Sequence, residues 1–203
     1  MNSYIQEFQE EQEKESKLVI SIDGPSGAGK GTLAEFISGR LDIPCYSAGD
    51  FFRQLAREKG MTVEELSSEA DKETDIKVDR RTLEKGLNES CVIESRISSW
   101  VLGDYSDFQI YLTANLEERA HRVHEDSESG KRDNEDEKDS FKQAKQKIEQ
   151  RDRDNRERYR DYYGIDVQDL EMYDLIIDNT DLDLDEQKQL VEKALKKRFS
   201  ERL

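Results

Sequence analysis

The sequence is poor in the residues that carry metal and thiol chemistry: among 203 residues it has two cysteines and two histidines. Cys45 and Cys91 stand far apart, with no paired spacing, which excludes a disulfide framework and a cysteine–histidine metal site. Both read as reduced, buried packing residues. Long apolar runs are missing too. No stretch approaches the ~20 residues of a membrane span, and the N-terminus MNSYIQEFQEEQEKES lacks the basic start and apolar centre of a secretion signal. The sequence therefore reads as cytoplasmic. Positive charge is the third shortage, with 32 basic against 48 acidic residues and a net charge of −16. An acidic surface argues against nucleic acid and against anionic membranes as partners. Two accounts of the acid excess stay open: a halophilic adaptation, in which concentrated salt screens the repulsion between carboxylates, and an acidic protein of an ordinary cytoplasm.

Only 33% of the residues are apolar and 39% are charged, a balance that can signal disorder. Here the apolar residues gather in LVISI, CVIES, FQIYL and DLIID, which points to a folded core under an acidic shell. The length suits one domain, with roughly 70% of the unfolded surface buried. Strand-like runs alternate with helical ones, so the expected fold is α/β, a three-layer sandwich with a five-stranded parallel sheet and helices on both faces. Residues 1–16 read as a polar N-terminal extension, a frayed helix or tail, and 17–203 as the domain. Thr62 with Glu65 forms a capping box that opens a helix. DSESGKRDNEDEKD, residues 126–139, is an acidic linker before a long basic helix that ends near Gly164. Ligands of such sheets sit at the carboxyl ends of the strands, and that is where the chemistry is expected.

The stretch GPSGAGKGT, Gly24 to Thr32, follows the run LVISI and opens a helix. Gly24, Gly27 and Gly29 let the backbone turn tightly with its N–H groups inward, and the helix N-terminus adds positive potential; together they hold a phosphate chain. Pro25, Ser26, Ala28, Gly31 and Thr32 complete the loop, and Lys30 is the mobile cation for the β and γ phosphates. Gly31 stands where a magnesium-touching Ser or Thr is usual.

GKGT is the form seen in small nucleotide kinases. With SAGDFFR (47–53), VDRR (78–81), VIESR (92–96), DFQIYL (107–112) and RYRDYYGIDVQDLEMYDLIIDNT (158–180), the order of motifs resembles the archaeal type of cytidylate kinase, a nucleoside monophosphate kinase. The resemblance runs from Lys17 to Thr180. Adenylate kinase is similar in the loop and the Gly-Asp-x-x-Arg run but less so in YYGID. The resemblance implies a P-loop fold with a helical acceptor-binding segment and a lid over about 126–163, ATP and Mg²⁺ as cofactors, and phosphoryl transfer to CMP or dCMP by a monomer. It implies that Arg53 and Arg96 hold the acceptor phosphate. Arg119, Arg151 and Arg158, with Arg156 as a further candidate, are implied to close over the transferred group.

Several residues keep two readings. Asp50 meets the acceptor or caps a helix. Glu94 holds Mg²⁺ through water or serves an ion pair. Arg80 or Arg81 approaches the acceptor, or both belong to a solvated charge run. On the long helix, the inward stripe Phe141, Ala144, Ile148 is expected to continue through Arg151, Asn155, Arg158 and Tyr162. An adenylate kinase-like enzyme and an ATP-binding regulator are the rival functions.

Overall fold

LVISI folds as the middle strand because its neighbours on both sides are strands as apolar as itself, so the chain can bury every residue of it. In the computed structural model, which describes Gln9 and residues 13–62, 65–66, 72–128 and 140–200, β1 (Val19–Asp23) is buried from end to end. It pairs in parallel with β3 (Cys91–Glu94) and with β4 (Phe108–Thr113). β2 (Cys45–Ser47) lies outside β3, and β5 (Leu175–Asp178) outside β4. The order is therefore β2-β3-β1-β4-β5, the five-stranded parallel sheet expected from the alternation of runs.

Helices cover both faces. α1 (Lys30–Leu41) and α7 (Leu184–Arg198) bury Leu33, Ile37, Val191 and Leu195 against Ile20, Ile22 and Ile110. On the opposite face lie α3 (Lys72–Asn88), α4 (Ser98–Leu102) and the end of α6 (Phe141–Tyr163), which pack Leu83, Leu87, Leu102 and Tyr163 on Val19 and Ile93. α2 (Ala48–Lys59) follows β2, and α5 (Leu116–Glu128) follows β4 and packs on α6. Strand alternation sends Ser21 and Asp23 to the α4 side, where apolar partners give way to hydroxyls: Ser21 Oγ meets Ser99 Oγ at 2.8 Å.

Local signals explain the helix ends. Ser47 caps α2 by accepting from Gly49 N, and Thr62 and Glu65 exchange the expected reciprocal hydrogen bonds. Residues 63–64, 67–71 and 129–139, the last covering most of the acidic linker, lie outside the described residues, as do 1–8, 10–12 and 201–203. Gly86 of α3 sits so close to α4 that a Cβ there would lie 2.5 Å from Leu102 Cδ2.

The described part of the N-terminal segment differs from a frayed tail. The amides of Glu15 and Ser16 both donate to Leu87 O, at 2.9 and 2.8 Å, and Lys14 Nζ pairs with Asp107 at 2.5 Å. Carbonyls at the end of a helix lack partners within it, and this segment supplies them. Gln9 Nε2 does the same for α4, donating to Val101 O at 2.8 Å. Cys45 and Cys91 are free thiols, as the sequence implies.

Candidate active site

The glycine loop is shaped by a close approach. Gly24 has φ +147°, and a Cβ on it would fall 2.0 Å from the carbonyl oxygen of Leu112 on β4. Asp23, just before it, is wholly buried; its Oδ1 accepts from Ser98 Oγ, and its Oδ2 accepts from Ser99 N at 2.9 Å and from Tyr173 Oη at 2.9 Å. Burial raises its pKa, and the three donors pull the other way. The carboxyl thus fixes the strand end from which the loop springs. Gly29 takes the left-handed conformation as N-cap of α1 and offers no side-chain cap, so the first amides of the helix are left to a ligand.

Lys30 folds back over the loop and donates to Pro25 O at 2.9 Å. Loss of hydration pushes its pKa down to about 8; Glu94 is the strongest opposing carboxylate, and Arg96 adds to the downward push. Glu94, the last residue of β3, is level with Ile22 and Ser47 across the sheet. That position agrees with the strand-end rule and puts its charge beside the lysine.

Two arginines converge on Ser26. Arg96 Nη2 donates to Ser26 Oγ at 2.8 Å, while its Nε is buried without a hydrogen-bond partner among the described residues. Arg119, 8% exposed, spans three acceptors: Ala114 O and Ser26 O, each at 3.0 Å, and Asp152 Oδ2 at 2.6 Å. Lys30, Arg96 and Arg119, all singled out in the sequence, therefore surround one loop. A cluster of cations and open amides of this kind has the chemistry to hold a polyphosphate.

The structure places the other candidates elsewhere. Arg53 pairs with Asp50 at 2.6 Å on the exposed start of α2, and since Ser47 is the cap, Asp50 is not. Arg81 pairs with Glu58 at 2.5 Å and so ties α3 to α2; Arg80 is exposed. On α6 the buried stripe is Ala144, Ile148, Asn155, Tyr159 and Tyr163, with Asp152 half-buried among them. This corrects the expected stripe: Arg151 is exposed, and Tyr159 and Tyr163 take the inward place given to Tyr162. Arg156 is exposed as well. Arg158 faces α3, with its Nε 3.1 Å from Asp75 Oδ2. Tyr163 Oη donates to Asp79 Oδ2 at 2.6 Å, and burial pushes Asp79 up to about 7. One helix thus reaches from Arg119 and the glycine loop, through Asp152, to α3, through Arg158 and Tyr163.

Residues 19–181 match the family described as Cytidylate kinase-like. The chain belongs to that family. The cytidylate kinase of Sulfurisphaera tokodaii is 37% identical over 181 residues, covering 88% of this chain and 95% of its own. The cytidylate kinase of Haloarcula marismortui is 37% identical over 163 residues, covering 79% and 80%. In fold, the chain is similar to a shikimate kinase from Acinetobacter baumannii solved in complex with shikimate, with a TM-score of 0.56 at 17% identity over 93% of this chain and 97% of that one. For this cytidylate kinase-like protein, two loop supports escaped the sequence reading. Arg122 donates to Asn179 Oδ1 and to Asn179 O, each at 3.0 Å, and Asn179 Nδ2 donates to Ala28 O at 3.0 Å. The signal was present for Asn179, which directly follows β5, and for Arg122, which lies three residues after Arg119 on α5.

Proposed function

We propose that the protein is a cytidylate kinase that moves the γ-phosphoryl group of ATP to CMP, and to dCMP, yielding ADP and CDP or dCDP. The observation that carries the reading is the convergence of Lys30, Arg96 and Arg119 on the loop at Ser26, at the carboxyl ends of β1 and β3. An oxygen of the acceptor phosphate attacks the γ phosphorus, a new P–O bond forms, and the bond to the β-phosphate oxygen breaks as ADP leaves. The acceptor is already ionised, so no general base is required. The work left to the protein is positioning and charge neutralisation.

Loop amides and Lys30 take the donor phosphates, and Arg96 takes the acceptor phosphate on the side of β3. Arg119 lies where it neutralises charge on the transferred group. Arg53, with Asp50, completes the acceptor side when α2 moves inward, and Arg151 joins from the exposed flank of α6 on closure. Arg158 belongs to the acceptor side of the cleft.

Mg²⁺ bound to the triphosphate supplies further neutralisation. Its fit rests on donor chemistry: Gly31 offers no side-chain oxygen, Asp23 is already engaged by three donors, and the charge of Glu94 acts on Lys30, so Glu94 through water would be the protein ligand. We assign 17–203 as the kinase domain, with residues about 126–163 as its lid and 1–16 as an N-terminal extension, of which Gln9 and residues 14–16 contact the domain. No described helix is long and apolar enough to cross a membrane. We take the protein as a cytoplasmic monomer acting on small molecules rather than nucleic acid, and its net charge of −16 as adaptation to salt. The test is ADP formation from ATP with CMP, dCMP, UMP, AMP or no acceptor, at low salt and in molar KCl. Turnover that depends on CMP or dCMP supports the reading; equal turnover without any acceptor overturns it.

A further inference from the structure

A helix as short as α4 has hardly any carbonyl that its own amides can reach, so its end must be held from outside. Trp100 O and Val101 O, near that end, accept from one side chain far away in sequence, Gln9 Nε2, at 3.3 and 2.8 Å. The grip is built from several sides. Tyr105 Oη donates to Gln9 O at 2.6 Å, and Gly103, with φ +54°, leaves room for the amide: a Cβ there would lie 2.8 Å from Gln9 Nε2. Gln9 stands before residue 19, where the match to the family begins.

The other end of α4 touches the chemistry. Ser98 Oγ donates to Asp23 Oδ1 at 2.5 Å and Ser99 N to Asp23 Oδ2 at 2.9 Å, and Asp23 is the root of the glycine loop. The indole of Trp100 adjoins Tyr173, whose hydroxyl is the third donor to Asp23. Arg96, bonded to Ser26 Oγ, stands just before α4, joined to it by the buried Ile97. Val101 and Leu102 are buried as well, so α4 turns or slides only as one piece. A shift at its Gln9 end is therefore carried to both charge clusters, to the loop through Asp23 and to the acceptor side through Arg96.

We propose that Gln9 is a positioning residue for phosphoryl transfer: by holding the end carbonyls of α4 it sets where Ser98 and Ser99 grip Asp23 and where Arg96 meets Ser26. This rests on the cytidylate kinase reading for the reaction and adds the N-terminal extension to the parts that align it. Each nucleotide is bound by its own cluster. Loosening α4 therefore disturbs the alignment of the two phosphates more than the affinity for either. A misplacement of about 1 Å costs up to about 10² in rate. The effect belongs in kcat, with KM for ATP and for CMP close to those of the wild type.

The experiment uses the full chain with Gln9→Glu, Gln9→Ala and Gln9→Lys. Glutamate keeps the length, loses the donor and turns a carboxylate on two carbonyls, whereas lysine restores a donor to a helix end. kcat and both KM values are measured with ATP and CMP at a temperature where Tm shows every variant folded. Trp100 is the one tryptophan of the chain, so its fluorescence reports on α4 directly. Gln9→Glu is expected to lower kcat at least about fivefold with both KM values within about twofold, and to change the Trp100 emission; Gln9→Lys recovers most of both. If Gln9→Glu does not fold, Gln9→Ala takes its place, with a smaller fall in kcat at unchanged KM. A variant that lowers Tm and leaves kcat unchanged shows a merely structural contact and overturns the proposal, as does a lysine that recovers nothing. A wild type that makes no CDP overturns the functional reading, and the link from Gln9 to the loop is then read from Trp100 alone. An emission change on adding ATP that Gln9→Glu abolishes supports the link; a change that Gln9→Glu leaves intact, or no change in the wild type, overturns it.

Discussion

Arg119 Nη1 is shared between the carbonyl of Ser26 at 3.0 Å and the carboxylate of Asp152 at 2.6 Å. The glycine loop and the long helix α6 therefore hang on one guanidinium, and it is buried. On the function proposed above, arriving phosphate would compete with Asp152 for that cation, and the ion pair would be part of what the donor displaces. Asp152→Asn weakens the tie without removing the hydrogen-bonding shape. It is expected to lower stability by about 2 kcal/mol in urea unfolding while lowering the KM for ATP. A KM for ATP that rises instead contradicts competition between carboxylate and phosphate.

Arg96 is expected to act on the acceptor more than on the donor. Arg96→Ala should reduce kcat/KM for the acceptor by roughly 10²–10³, with ATP binding nearly intact by calorimetry. Arg96→Lys restores charge but not the planar fork that holds Ser26 and a phosphate together, so recovery should be partial. Equal damage to ATP binding would place Arg96 on the donor instead.

Lys30 makes donor binding sensitive to pH. Its pKa falls from 10.5 to about 8, so between these values the unfolded chain holds a proton that the folded chain has lost, and this group's contribution to stability rises with pH across that window. Bound triphosphate keeps Lys30 charged, so ATP binding near pH 8.5 should take up a proton and weaken as pH rises further. Calorimetry in two buffers of different ionisation heat measures the uptake. Asp79 runs the other way: raised from 3.8 to about 7 by burial, it contributes stability below pH 3.8 that is lost progressively as pH rises from there to about 7. Asp79→Asn should flatten the fall in Tm between about pH 4 and 7.

Gly24 tolerates no side chain. An added Cβ meets Leu112 O at 2.0 Å in a backbone region that L-residues rarely enter. Gly24→Ala should cost about 4 kcal/mol or prevent folding, and any folded fraction should fail to retain ATP in an equilibrium binding assay.

The loop was legible in the sequence because GPSGAGKGT comes straight after a continuous apolar run, and Arg96 because it follows another. Both signals are local. The stripe on α6 was misplaced because its apolar markers stop at Ile148 and resume only at Tyr159; between them charged residues predominate, and Arg151 and its neighbour Asp152 compete for one position. Only packing against Arg119 selects the acid. The Asp23 network was out of reach for another reason: its partners Ser98 and Tyr173 lie 75 and 150 residues away, and an acid ending an apolar strand looks like a surface residue until the fold covers it. Arg122 and Asn179 meet only after β5 is laid beside β4.

The N-terminal segment also fixes one end of α3. Leu87 is held by two amides, and Gly86 is pressed against Leu102, so the far end of α3 is a fulcrum. Its other end, bearing Asp75, is joined to α6 through Arg158. Displacement grows along such a lever with distance from the fulcrum. A rotation of α3 about Gly86 would be largest towards Asp75, eleven residues along the same helix, so an insertion at residues 15–16 is expected to act on the contact between α3 and α6.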